Sequence, residues 1–289
     1  MMMTDWKDRV ILITGATSGI GKAAAKEIAK LGSRLVMVVR DQPRGMAAWE
    51  EITKASGNEK IELMVADLSS MEEIRILAAE FRKKYKHLHV LINNAAIVPA
   101  ERTVTHDNLE MQFAVNHMAY FLLTNLLLDV VKASAPARIV NTASGTHGRA
   151  VLDMNDLQTE NGRYKPMEVY GRTKLLNMLF TFELARRLKG TNVTANCYTP
   201  GFRATGIGRH LSSVLRFGMG LFGGRPEKGA ATLVYLATSP EVEGVNGKYF
   251  SNKKALEASR TAQDKDLAMK LWNVSEKIAG LDKRTDQGQ

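Results

Sequence analysis

The chain has 289 residues, 45% of them hydrophobic, enough to bury a substantial core as one large α/β domain or two smaller ones. Its 40 basic against 30 acidic side chains give a formal charge of +10. The cations are dispersed, as in Arg82, Lys83, Lys84 and Lys86 or Arg186, Arg187 and Lys189, with no interleaved aromatic stripe, so the charge suits helix ends and an anionic cofactor and argues against a nucleic-acid partner.

Residues 1–9 are polar and charged, and no run of 18 apolar residues occurs, so neither a secretory leader nor a transmembrane segment is expected. The lone Cys197 has no disulfide partner, and a cytoplasmic location is the expectation.

Short β-branched apolar runs recur at Val10–Thr14, Leu35–Val39, Ile61–Ala66, Val90–Asn93, Ile139–Thr142, Val193–Tyr198 and Lys248–Phe250. Amphipathic segments alternate with them: Ile20, Ala24, Ile28 and Leu31 at helical spacing, then Met71–Tyr85, Leu109–Val131 and Val169–Leu188. This alternation predicts an α/β fold, a doubly wound parallel sheet with helices on both faces. No linker, low-complexity tract or repeat divides the chain, so a single domain over 1–289 is expected. Two stretches break the rhythm. Gly145–Met167 is a polar insertion, and Phe202–Gly224 mixes glycines with Leu, Phe and Met. Hinges beside apolar cover suggest a substrate flap at about 202–224 over a small apolar substrate, an ordinary surface loop being the alternative.

The first strand runs through Thr14-Gly15-Ala16-Thr17-Ser18-Gly19-Ile20-Gly21 straight into a helix. Such a turn points backbone N–H groups and a positive helix end at a pyrophosphate, and side chains at Gly15, Gly19 and Gly21 would obstruct the turn or the approach. The second strand ends in Arg40-Asp41. A guanidinium there matches a ribose 2′-phosphate and favours NADP(H), whereas Asp41 would favour NAD(H) if the strand ended one residue later.

Tyr170 and Lys174 are four residues apart, one turn apart on one helix face. A cation within about 4–6 Å is expected to lower a phenol from its usual pKa of about 10, fitting Tyr170 for proton exchange with a substrate oxygen. In isolation that spacing is an ordinary solvated helix face. Here it follows the glycine turn, Asn93-Asn94-Ala95-Ala96, Asn116 and Ser144, and precedes Pro200-Gly201.

In that fixed order the sequence resembles the short-chain dehydrogenase/reductase family, with Ala96 where a glycine is usual. Val115-Asn116-His117, Phe121-Leu122-Leu123-Thr124, Lys174-Leu175-Leu176-Asn177, Gly247-Lys248-Tyr249-Phe250 and Leu271–Lys277 resemble its retinol dehydrogenase-like branch. Ser144 and Tyr170 are 26 positions apart, which agrees with that branch.

The resemblance implies a Rossmann-type domain and NADP(H)-dependent hydride transfer on an apolar aldehyde, ketone or alcohol, a retinoid among them. It implies that Tyr170 is the acid/base, Ser144 holds the substrate oxygen, Lys174 tunes the phenol and holds the nicotinamide ribose, and Asn116 positions a relay water. Cofactor contacts are implied for Gly15, Thr17, Ser18, Gly19, Ile20, Gly21, Arg40, Asp67, Leu68, Asn94, Ala95, Pro200, Gly201 and Thr205, with Asp67 beside the adenine. Asp67 could equally be a helix N-cap. A homo-oligomer through the helices carrying Asn116 and Tyr170 is implied too. A cofactor-sensing protein without catalysis and a carbon–carbon double-bond reductase are the alternative functions.

The six histidines form no metal set: His87 and His89 alternate along a strand approach and the others lack helical or hairpin partners. Trp6, Trp49, Trp272 and Met178 read as packing residues.

Overall fold

The computed structural model describes residues 5–201 and 226–282. Its strands are β1 (Val10–Thr14), β2 (Arg34–Val39), β3 (Ile61–Val65), β4 (Val90–Asn93), β5 (Ala137–Thr142), β6 (Val193–Tyr198), β7 (Tyr249–Ser251) and β8 (Lys254–Leu256). β1, β4, β5 and β6 are buried along their whole length. Continuous β-branched runs of that kind require cover on both faces, which a parallel sheet between helix layers provides. The strand order is β3-β2-β1-β4-β5-β6-β7-β8, with β8 the antiparallel edge. β1 pairs with β2 at Leu12↔Val36 and with β4 at Leu12↔Leu91. The order therefore reverses between β1 and β4, and a crevice opens there at the carboxyl ends of the strands.

The helices are α1 (Gly19–Ala29), α2 (Gln42–Ser56), α3 (Met71–Lys84), α4 (Met111–Lys132), α5 (Pro166–Arg187), α6 (Pro226–Thr238), α7 (Arg260–Gln263) and α8 (Lys265–Ile278). One face of the sheet is covered by α1, α2 and α6 through Ile20, Ala24, Ile28, Ile52, Leu233 and Leu236. The other carries α3, α4, α5 and α8 on a larger core including Phe81, Phe113, Phe121, Leu176, Phe180 and Trp272. α4 is long and apolar enough to cross a membrane, but 83% of its most apolar window is buried inside the fold.

The polar insertion between β5 and α5 is tied to the start of α4. Tyr164 Oη donates to the buried Glu110 carboxylate at 3.0 Å, and Gln112 Nε2 donates to Tyr164 Oη at 2.8 Å. Glu110 N donates in turn to Gln158 Oε1 at 2.9 Å. Burial raises the Glu110 carboxyl above its ordinary range, against the backbone N–H groups of Gln112 and Phe113 that hold it.

Helix α8 lies across the outer faces of α4 and α5. Trp272 packs on Phe121 and Phe180 with ring centroids 5.0 and 5.8 Å away, and the Arg187 guanidinium lies 4.1 Å from the Trp272 ring centroid. The chain's own C-terminal segment thus covers part of the surface of α4 and α5, the helices that carry Asn116 and Tyr170. β8 escapes the strand signature because Lys254, Ala255 and Leu256 are exposed and only edge-paired.

Candidate active site

The crevice at the β1/β4 switch point has a cavity volume of about 210 Å³. Gly15, Thr17, Ser18, Gly19, Ile20 and Gly21 form its floor, Arg40, Asp67 and Leu68 one end, and Asn94, Ala95, Tyr170 and Pro200 the other. The glycines have local reasons. Gly15 has φ +71° and Gly19 φ +56°, both left-handed, and a Cβ on Gly15 would sit 2.7 Å from Ala95 Cα. α1 starts at Gly19, so its first unpaired N–H groups face the crevice.

Thr14 and Asn94 staple the ends of β1 and β4 together. Thr14 Oγ1 accepts from the backbone N–H of Asn94 and of Ala95 at 2.9 and 3.0 Å, while Asn94 Nδ2 donates to Thr14 O at 3.0 Å. Asn94 therefore shapes the wall as much as it faces a ligand.

At the opposite end β2 stops at Val39, and Asp41 caps α2, its Oδ1 accepting from Arg44 N at 2.9 Å. Asp41 lines the crevice with one carboxylate oxygen given to the cap, and the exposed Arg40 is joined there by Arg44. Arg44 escaped the sequence reading, which did not take Asp41 as the N-cap of α2. Asp67 reaches the crevice, but its Oδ1 accepts from Ser69 N at 2.9 Å. The N-cap of α3 is Ser70, not Asp67.

The residues expected to do chemistry converge behind Tyr170. Ser144 follows β5 and caps a short 3₁₀ turn, Gly145–Arg149, and its hydroxyl faces the Tyr170 phenol. Asn116 sits in a π turn, Ala114–Met118, within α4. Its Oδ1 accepts from Ile97 N at 2.8 Å, and its Nδ2 donates to Ile97 O at 3.0 Å and to Thr173 Oγ1 at 3.2 Å. The wide turn sets Asn116 where it locks the loop after β4 against α5, and π turns of this kind recur at functional sites. Lys174 is fully buried, with Nζ donating to Thr142 O at 3.1 Å and lying 5.5 Å from the Tyr170 ring centroid and 5.4 Å from that of Tyr120.

The electrostatics differ from the expectation of a phenol lowered by its lysine. Burial pushes Tyr170 well above the ordinary phenol value, the Ser144 hydroxyl opposing it only in part. Burial also brings Lys174 down to about 7. The reason is geometric: the amine is turned to the Thr142 carbonyl and lies over the tyrosine rings, and desolvation outweighs the pairing.

Gly201, exposed with φ +72°, stands outside the crevice lining. Thr205 and the 202–224 flap lie outside the described residues. Val115 and Thr142, which also line the crevice, carry no chemical signature in the sequence.

The residues fit a nicotinamide dinucleotide: the glycine cradle would hold its pyrophosphate, Arg40 and Arg44 the adenosine end, and Tyr170 and Lys174 the nicotinamide ribose. Bound there, the nicotinamide would supply or accept the hydride.

The sequence pattern of the family described as short chain dehydrogenase matches residues 9–214. Retinol dehydrogenase 14 of Homo sapiens is 41% identical over 292 residues, covering 94% of this chain and 87% of its own length. Polyprenol dehydrogenase of Homo sapiens is 37% identical, covering 95% and 86%. Among solved structures, an uncharacterized protein from Mycobacterium paratuberculosis is 29% identical, with a TM-score of 0.78, covering 96% of this chain and 95% of its own. The chain is a hydride-transfer oxidoreductase belonging to the short-chain dehydrogenase/reductase family, in its retinol dehydrogenase-like branch.

Proposed function

We propose that the protein is an NADP(H)-dependent reductase of an apolar aldehyde or ketone, reversible to alcohol oxidation, with Tyr170 as the acid/base. The observation that carries this reading is the buried Tyr170 phenol on the crevice wall, with the Ser144 hydroxyl facing it and Lys174 beneath its ring. In the reducing direction the phenol donates its proton to the carbonyl oxygen as carbon gains the hydride. The Ser144 hydroxyl holds that oxygen as charge develops on it. Lys174, held through Thr142 O, stands beneath the phenol, and its protonated form stabilises the tyrosinate as it forms.

Arg40 and Arg44 on the crevice wall, with one Asp41 oxygen holding the α2 cap, support a 2′-phosphate over a free ribose diol. The relatives' names, retinol and polyprenol dehydrogenases, support a long apolar alcohol or its carbonyl.

The test is steady-state turnover of a panel of apolar aldehydes and ketones with NADPH and with NADH, in wild type and Arg40→Glu. Wild type is expected to prefer NADPH, and Arg40→Glu to lose that preference by about 10- to 100-fold, as a charged hydrogen bond of about 1.5–3 kcal/mol is lost. No turnover of any carbonyl by wild type contradicts the function, and an unmoved NADPH/NADH ratio contradicts the assignment of Arg40.

A further inference from the structure

Behind the crevice the fold buries a run of polar side chains that the reaction above does not use. Asn93 Nδ2 donates to Thr124 Oγ1 and to Asn141 Oδ1, each at 2.9 Å, and Asn141 Nδ2 donates to Thr181 Oγ1 at 2.9 Å. Thr181 Oγ1 donates to Asn177 O at 2.6 Å, and Asn177 Nδ2 donates at 3.3 Å to Thr142 O, the same carbonyl that accepts from Lys174 Nζ. Asn93 Oδ1 within this run, and Asn177 Oδ1 and His117 Nδ1 at its end, are buried without a hydrogen bond of ordinary geometry. The Asn177 and His117 side chains face each other. On the far side of the imidazole, His117 Nε2 lies 3.0 Å from Ser275 Oγ of α8.

A buried polar atom left unpaired costs about 1–3 kcal/mol, so a fold that buries a matched donor and acceptor side by side has a use for them together. Phe113 and Phe121 from α4 and Phe180 from α5 pack on the ring with centroids 5.5, 6.5 and 6.3 Å away. Among the described residues no charged side chain shifts it, and burial lowers His117 to about 4, so at neutral pH it carries one ring proton. If the Ser275 hydroxyl donates to Nε2, that proton sits on Nδ1, on the side of the Asn177 amide. The groups around Lys174 are the Tyr120 and Tyr170 rings and Thr142 O. An unheld Asn177 amide could flip and present its oxygen toward the lysine amine instead of an N–H to Thr142.

We infer that His117 is a positioning residue for Lys174, holding the Asn177 amide in the orientation that fixes the Thr142 carbonyl on which the lysine amine rests, with Ser275 of α8 setting its tautomer. The inference deepens the proposed function, since it rests on Lys174 serving the reaction.

Two substitutions divide the ring's contacts. His117→Asn keeps a donor at the Nδ1 position and loses Ser275, whereas His117→Gln keeps a group at the Nε2 position and loses Asn177. The readouts are the pH profile of kcat and, without turnover, the pH titration of the Lys174 13Cε resonance in lysine-labelled protein, assigned with Lys174→Met. His117→Gln is expected to raise the Lys174 midpoint, by about one unit, because a freed amide turns its oxygen to the ammonium. Its kcat is expected to fall by about 3- to 10-fold, the loss of one buried hydrogen bond. His117→Asn is expected to leave the midpoint in place. Equal shifts in both variants, a shift in His117→Asn alone, or none in either would overturn the inference. If His117→Gln does not fold, Ser275→Ala replaces it: freeing the ring to change tautomer must raise the midpoint, and an unmoved midpoint overturns it. Should the wild type reduce no carbonyl, the proposed reaction fails, and the resonance titration still decides the role of His117.

Discussion

Tyr170 and Lys174 sit one helical turn apart, yet burial governs the proton affinity of each. Tyr170, raised by burial, holds its proton across neutral pH and is set to donate it, which suits reduction; alcohol oxidation needs the phenolate and should quicken as pH rises. Lys174 has the opposite consequence for stability. Its ordinary value is 10.5 and burial lowers it to about 7, so the unfolded chain holds a proton between those values that the folded chain gives up. The penalty is greatest below pH 7 and fades as pH rises toward 10.5. Replacing Lys174 with Met should therefore abolish activity while stabilising the fold at pH 6 by about 1–4 kcal/mol, with a smaller gain at pH 9. Urea unfolding of both proteins at the two pH values checks this, and a less stable variant at pH 6 contradicts it. The spacing of the pair was legible in the sequence. The direction of the phenol shift was not, because desolvation depends on how α4, α5 and β5 close over the side chains.

Among the elements, strands with a continuous apolar signature were the most legible. β1, β4 and β6 have the bounds their residues predict, and β5 begins two residues before its apolar run, at Ala137. Edge pairing and capping carry weaker signals, which is why β8 and the Asp41 cap with its neighbour Arg44 were missed. The π turn in α4 has no signature either, since Ala114–Met118 reads as ordinary helix and is widened by the bonds of Asn116 to Ile97 and Thr173. The turn from β1 into α1, by contrast, was legible because a left-handed φ and a close approach each demand glycine. Gly15→Ala tests that reason: a left-handed alanine costs about 1–2 kcal/mol before any contact with Ala95. Thermal unfolding should show at least that loss, together with weakened nucleotide binding by calorimetry. Unchanged values for both would mean that the turn has another conformation.

Across the whole molecule, the least legible feature is the closure of α4 and α5 by α8. The sequence offered Trp272 only as a packing residue, and nothing local shows that it packs on Phe121 and Phe180 while Arg187 covers its face. Trp272→Ala should cost about 3–5 kcal/mol of stability, the usual loss for a large buried aromatic, measured by denaturant unfolding. A loss below 1 kcal/mol would mean that α8 is not docked in solution. The crevice itself is a property of the whole sheet, since the reversal of strand order between β1 and β4 brings residues from Gly15 to Pro200 to one place. The central claim is that the Tyr170 phenol delivers the proton in that crevice, and Tyr170→Phe, which removes one oxygen, tests it most directly. NADPH oxidation with an apolar aldehyde should fall by about 10²- to 10⁴-fold while NADPH binding, followed by fluorescence, is retained. Wild-type turnover in the phenylalanine variant would contradict the account.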